Sequence, residues 1–275
     1  MTPATEADRS EIETFLRARL HQAMFPLSNL AEHGMAGGHD YAVSFWIARQ
    51  AGQITDVLTL TDGGMVMPLL PSGDFADAAA QIKGRKLSGM VGPVACVRGL
   101  ERQGLTDLPR SFNADEPQFL LDLSNLSVPA GTGQLRPLSE APADLIKSWI
   151  WDYDRNTLNA PLAGLDARVE RTYDRYLANE SHKVLMDGQT PLAMTGFNAR
   201  LPEIVQLGGV YTPPELRNRG YARRAVALHL AEAAKQGVSQ ATLFSASPAA
   251  ARAYQALGFE KVGTWTLILF KEAAT

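Results

Sequence analysis

The chain has 275 residues, 45% of them hydrophobic and 20% charged, with a formal net charge of −3. That is length enough for two domains of roughly 130–140 residues, and too weak a charge for a nucleic acid or an anionic membrane held by bulk electrostatics. The single cysteine, Cys96, excludes an intrachain disulfide and a CxxC metal site, and the five histidines show no paired ligand spacing, so no metal is expected.

Ser10 is placed to cap a first helix, with Ile12, Phe15, Leu16 and Leu20 at helical spacing and Glu13 in the capping-box position. A break is expected at Phe25-Pro26, then a short helix over residues 27–32 that ends at Gly34. Strand-like runs at 41–49, 54–61 and 65–70, parted by Gly-containing turns, read as an antiparallel meander. Pro71-Ser72-Gly73-Asp74 leads into a helix over Phe75–Ile82, followed by an apolar stretch at 88–97 and a closing strand at 119–126. Pro129-Ala130-Gly131-Thr132-Gly133 is the best candidate for a linker. It predicts one domain over 1–130 and another over 131–275.

The second half opens with a short strand at 135–138. A helix from Pro142 to Tyr153 follows, carrying Leu145, Ile146, Trp149 and Ile150 on one side, and then a helix at 166–178. Strands are expected at 182–186, 192–199 and 203–211. The two halves echo each other in layout, with helices, a three-strand meander and a proline turn into a helix, but not in residue identity. They differ where the meander ends. The second half reaches Arg217-Asn218-Arg219-Gly220-Tyr221-Ala222, the pattern R-x-x-G-x-A, directly before a helix. Free backbone N–H groups and the helix dipole meet at such an end, Gly220 lets the backbone approach an anion, and Arg217 and Arg219 add cations, which together suit a phosphorylated ligand. The first half lacks that chemistry.

Ala225, Val226, His229, Leu230 and Ala233 share one face of the helix that follows, and Gly237 is placed to end it. Arg223 and Arg224 fall off that face, either solvated or in contact with a phosphate of a bound ligand. After a short strand at 241–245, Ser247 and Pro248 open another helix, which Gly258 ends, and a last strand is expected at 264–270.

These residues resemble the GNAT (GCN5-related N-acetyltransferase) superfamily from about Gly131 onward. Its R/Q-x-x-G-x-G/A motif falls on Arg217, Gly220 and Ala222, and its N-x-x-A-x-x-x-Y-x-x-x-G-F motif on Ser247, Ala250, Tyr254, Gly258 and Phe259, with Ser in place of the usual Asn. The N-terminal half resembles the degenerate first domain of tandem members. The resemblance implies an α/β (α+β) fold of two GNAT-like domains, each a mixed, mainly antiparallel twisted sheet flanked by helices.

It further implies acetyl-CoA as cosubstrate and an amine acceptor, with a small molecule expected over a protein. Val210, Tyr211 and Thr212 would line the pantetheine arm. Arg217, Asn218, Arg219, Gly220, Tyr221 and Ala222 would hold the pyrophosphate, and Ser247, Ala250 and Tyr254 the remaining contacts. The Val210 N–H would polarise the thioester carbonyl and Tyr254 would protonate the thiolate, although Tyr254 could equally pack on Phe259. Gly208-Gly209 fits either a bulge or a close ligand. For the base, Glu203 is the family-like choice, with Asp152, Asp154, His182 and a water chain as alternatives. Trp149, Trp151 and Tyr153 with the two aspartates form either a cation site or plain core.

A CoA-binding module without turnover, and a transferase using a longer acyl-CoA or an aminoacyl-tRNA, remain open as readings. With a polar N-terminus and no apolar run near the roughly 20 residues of a membrane span, the expected location is cytoplasmic. The residues do not choose between monomer and homodimer.

Overall fold

A computed structural model describes residues 1–105, 108–245 and 247–274. The chain divides into two units, one of Met1–Pro117 with the residues from Gly263 on, the other of Gln118–Val262. This differs from a boundary at 130/131. The reason is that two long strands, Arg110–Asp122 and Glu260–Ala274, each contribute residues to both units.

In the first unit the elements run β1 (Thr2–Pro3), α1 (Arg9–Arg17), α2 (Met24–His33), β2 (Val43–Gln50), β3 (Gln53–Thr61), β4 (Met65–Leu69), α3 (Phe75–Ile82), β5 (Leu87–Pro93), α4 (Val94–Glu101) and β6 (Arg110–Asp122). β2, β3 and β4 form the expected antiparallel meander, and β5 then returns parallel to β4. The strand beside β5 is the C-terminal one, with Leu267 opposite Val91.

The helix start differs from expectation. Thr5 N–H and Oγ1 both bond Asp8 Oδ2, at 2.9 and 3.0 Å, so the capping box sits one turn early, while Ser10 lies inside α1 and Glu13 pairs with Arg9 at 3.0 Å. Pro26 does not break α2. It occupies the first turn, where no intrahelical N–H bond is lost. The apolar run at 88–97 is a strand that becomes a helix at Val94, since Cys96, Val97 and Leu100 face the core at helical spacing.

The second unit takes residues 118–122 of β6, then β7 (Gln134–Pro137), α5 (Ala143–Asn156), α6 (Leu165–Ala178), β8 (His182–Asp187), β9 (Thr190–Arg200), β10 (Ile204–Tyr211), α7 (Tyr221–Lys235), β11 (Gln240–Phe244), α8 (Pro248–Gln255) and the start of β12 (Glu260–Ala274). Its sheet order is β7-β8-β9-β10-β11-β6, antiparallel except for the parallel pair β10–β11. α7 buries Ala225, Val226, His229, Leu230 and Ala233, the face expected from sequence. Val226, Leu230 and Ala233 pack with Val205, Leu207, Leu243, Phe119 and Phe259, and Ala225 with Leu185, Leu192 and Ala193. α5 and α6 bury Ile146, Trp149, Ile150, Val169 and Tyr173 against Val184 and Met194, whereas Leu145 is exposed.

The stretch expected to be a linker is tied down. Arg224 Nη1 donates to the Pro129 carbonyl at 2.7 Å and Nη2 to that of Gly133 at 3.3 Å. Arg224 therefore does not stand on a solvated face.

Candidate functional site

The loop after β10 makes a 3₁₀ turn over Pro214–Leu216 and enters α7 through Gly220. Asn218 and Gly220 both take left-handed φ angles, 64° and 81°. Alternating backbone hands of this kind turn successive N–H groups to one side. Gly220 is the N-cap and supplies no side-chain bond, so the opening N–H groups of α7 face outward with the positive end of the helix. A Cβ at Gly220 would meet only Arg223 Nη2, at 3.8 Å. The space above it is open, as an anion at a helix start requires.

The arginines are held by the loop itself. Arg217 Nε donates to the Thr212 carbonyl at 3.0 Å, and Arg219 Nη2 to that of Glu215 at 3.2 Å. Arg217 Nη2 also lies 4.0 Å from Asp152 Oδ2. Beneath it the Tyr211 hydroxyl donates to the same Asp152 oxygen at 2.6 Å, and the Tyr211 ring leans on Trp149 with centroids 5.7 Å apart. Burial first, and the Asp152 carboxylate second, push the Tyr211 phenol well above its ordinary range. Thr212 Oγ1 is buried without a hydrogen-bond partner.

Upstream, β10 leaves its neighbour. Its parallel register with β11 covers Ile204, Val205 and Gln206 only. Against β9 the register slips between Gly208 and Tyr211, where Gly209 adopts φ 61°. That is a β-bulge, and it takes Val210 out of regular pairing on the stretch of β10 beyond Gln206, where the pairing with β11 has already ended. The glycine pair is thus a bulge, whatever else approaches it.

The second motif folds as its spacing predicts. Ser247 Oγ accepts from Ala250 N–H at 3.4 Å and caps α8, with Pro248 at the first helical position. At the far end Phe259 N–H reaches the Tyr254 carbonyl at 3.2 Å and Gly258 N–H that of Gln255 at 3.0 Å, with Gly258 at φ 105°. This is a Schellman closure, whose usual apolar contact is here the Tyr254–Phe259 ring pair, 5.9 Å apart and edge-on. Burial raises the Tyr254 phenol to about 12, so it stays protonated. Val210 and Tyr254 pack on the same apolar cluster.

Other expected residues lie elsewhere. Glu203 stands before the first residue of β10, where its carbonyl accepts from Ser239 N and Gln240 N at 3.1 and 3.0 Å. Six residues of strand, about 20 Å, part it from Val210, so it is not brought to the bulge. Asp154 is buried and paired with Arg168 Nε at 2.7 Å, locking α5 to α6. Trp149 and Tyr153 belong to the core; Trp151 is exposed. Arg223 keeps its Nε buried without a partner.

Two groups escaped the sequence reading. Tyr176 stacks on His182, with centroids 3.3 Å apart, and Ser181 Oγ lies 2.9 Å from His182 Nδ1. The available signal was Gly196, which β9 places opposite Gly208: facing glycines on neighbouring strands leave room for a large side chain.

A mixed sheet that opens beside a bulged strand, with an uncapped helix start at its mouth, is the arrangement of a GNAT-type fold. Residues 143–259 match the acetyltransferase (GNAT) family. Solved structures share the fold along nearly all of it. GCN5-related N-acetyltransferases from Kribbella flavida and Sphaerobacter thermophilus are 15% and 13% identical, with TM-scores of 0.58 and 0.56. The first alignment covers 92% of this chain and 95% of that one, the second 100% and 95%. A tandem GNAT protein from the clavulanic acid biosynthesis pathway is 15% identical at a TM-score of 0.51, covering 100% of this chain and 98% of that one. A search of curated proteins found no match. No helix among the described residues is long and apolar enough to cross a membrane.

Proposed function

We propose that the second unit transfers the acetyl group of acetyl-CoA to a primary amine of a small molecule, in the cytoplasm. The observation that carries this reading is the uncapped N-terminus of α7 at Gly220, set directly after a strand that bulges and leaves its partner. The N–H groups of Asn218, Gly220, Tyr221 and Ala222, with Arg217 and Arg219, would bind the pyrophosphate. Val210, Tyr211 and Thr212 would run beside the pantetheine arm, with Ser247 and Ala250 on its other flank. Bound acetyl-CoA supplies the activated acyl group; the chain supplies position and charge. Val210 N–H, released from the ladder by the bulge, donates to the thioester oxygen as charge develops there. Tyr254, protonated through the working pH range, donates its proton to the departing sulfur.

The first unit is proposed as a degenerate GNAT-like domain. Its corresponding helix start, at α3, is already satisfied: Asp74 caps it by accepting from Asp77 N–H at 3.3 Å, and the Met1 ammonium pairs with Asp77. The end of β4 is closed off, with Leu70 N–H donating to Cys96 Sγ at 3.4 Å.

The test is Gly220→Glu, which puts bulk and negative charge in the cradle. Titration calorimetry should show CoA affinity falling by roughly 100-fold or more, equivalent to about 2.7 kcal/mol, with cooperative melting retained. Unchanged affinity removes the site.

A further inference from the structure

The second unit contains a buried polar group that none of the roles above uses. His182, the first residue of β8, is 2% exposed, and its Nε2 has no hydrogen-bond partner. The ring lies flat between Tyr176 and the bare backbone of Gly196, and Nε2 is aimed at Gly209, where a Cβ would collide with it. The Tyr176 hydroxyl is 3.3 Å from the same point. Gly209 is the residue before Val210. The unpaired nitrogen therefore abuts the peptide unit that carries the oxyanion-donating N–H.

We propose that His182 is the general base of the transfer, its Nε2 taking the proton from the acceptor's amino group directly or through one water. This rests on the acetyl-transfer reading above. The competing carboxylates are engaged or distant: Asp154 by Arg168, Asp152 by the Tyr211 hydroxyl, and Glu203 at the other end of β10. Nδ1 lies 2.9 Å from Ser181 Oγ. With Nδ1–H donating there, Nε2 holds the lone pair, the tautomer a base requires.

In the step, the amine nitrogen bonds the acetyl carbon while Nε2 takes its proton, and the carbon–sulfur bond breaks while Tyr254 protonates the sulfur. Nε2 then releases its proton, and Tyr254 regains one, from solvent. The groups bearing on the ring are Tyr176 and Arg175 of α6, Ser181, and His229 of α7. Burial first, then His229 and Arg175, hold His182 well below the usual imidazole range, so the base is neutral and available at working pH. The acid limb of kcat/KM should accordingly lie below pH 6.5.

Two variants and one spectrum test this. With acetyl-CoA and a panel of alkylamines, aminosugars and polyamines, His182→Gln should lower kcat about 100-fold, abolish the acid limb and leave CoA affinity unchanged. Ser181→Ala keeps the ring and frees its tautomer, and should lower kcat about tenfold at constant KM. Rates within twofold of wild type for both variants overturn the proposal. The ¹⁵N spectrum of the full chain labelled at histidine should show His182 Nε2 unprotonated at neutral pH, with and without CoA. A protonated Nε2 there overturns the proposal even if His182→Gln does not fold or no amine in the panel reacts. Failure of CoA to bind wild type counts instead against the acetyl-transfer reading.

Discussion

The Tyr254 ring closes the C-terminal end of α8 against Phe259, and its hydroxyl is the proposed acid, so substitutions can separate the two. Tyr254→Phe keeps the ring contact. Its kcat should fall by about 10²-fold or more, with CoA affinity and melting temperature unchanged by calorimetry; an unaltered rate would leave Tyr254 a packing residue. A second expectation concerns acid stability. His229 is buried in α7 against Phe197, with neither ring nitrogen hydrogen-bonded, and burial, then Lys183 and Arg200, lower it to about 3. The unfolded chain binds a proton there below about pH 6.5 and the folded one does not until about 3, so stability is full above 6.5 and is lost as pH falls. Between pH 6.5 and 5 the loss is about 2 kcal/mol. His229→Phe should therefore flatten the pH dependence of the urea midpoint over that window. Gly220 and Ser247 were legible in the sequence because caps and glycine hands are decided within a few residues. His182 was left among several candidate bases, because its environment comes from Tyr176, Gly196 and Gly209, joined only by strand pairing.

Among elements, β10 was legible nearly to the residue, since an apolar run between a proline turn and a glycine pair has few alternatives. β6 and β12 were not. Residues 110–118 read Arg-Ser-Phe-Asn-Ala-Asp-Glu-Pro-Gln, with no apolar alternation, and they form strand because other strands lie beside them. Lys271 N–H, for instance, bonds the Pro109 carbonyl at 2.9 Å, and Thr266 Oγ1 donates to Asp115 at 2.7 Å. The boundary at 131 thus cuts away residues 118–122, which pair with β11 and bury Phe119 and Leu121. Burying two such side chains contributes about 2 kcal/mol each. A fragment of residues 118–262 should melt at a higher temperature than one of 131–262; equal melting temperatures would show the strand to be dispensable.

Among the described residues the same sequence of elements, meander, helix, parallel return strand and helix, occurs twice, and of the two helices that follow the meanders α3 is capped by a side chain while α7 is not. CoA titrated into the full chain should accordingly bind at a stoichiometry of one, a value of two contradicting the account of α3 given above. The layout was legible because meander turns and helix faces are written locally. The division into units was not, because it depends on which strands complete which sheet. The strand that finishes the first unit beside β5 leaves the ribosome only after the entire second unit has been made. Until then β5 waits with an open edge, so the order of synthesis makes the second unit the first to mature, and any nascent chain that stops short of residue 263 carries an unfinished sheet for the chaperone machinery to find.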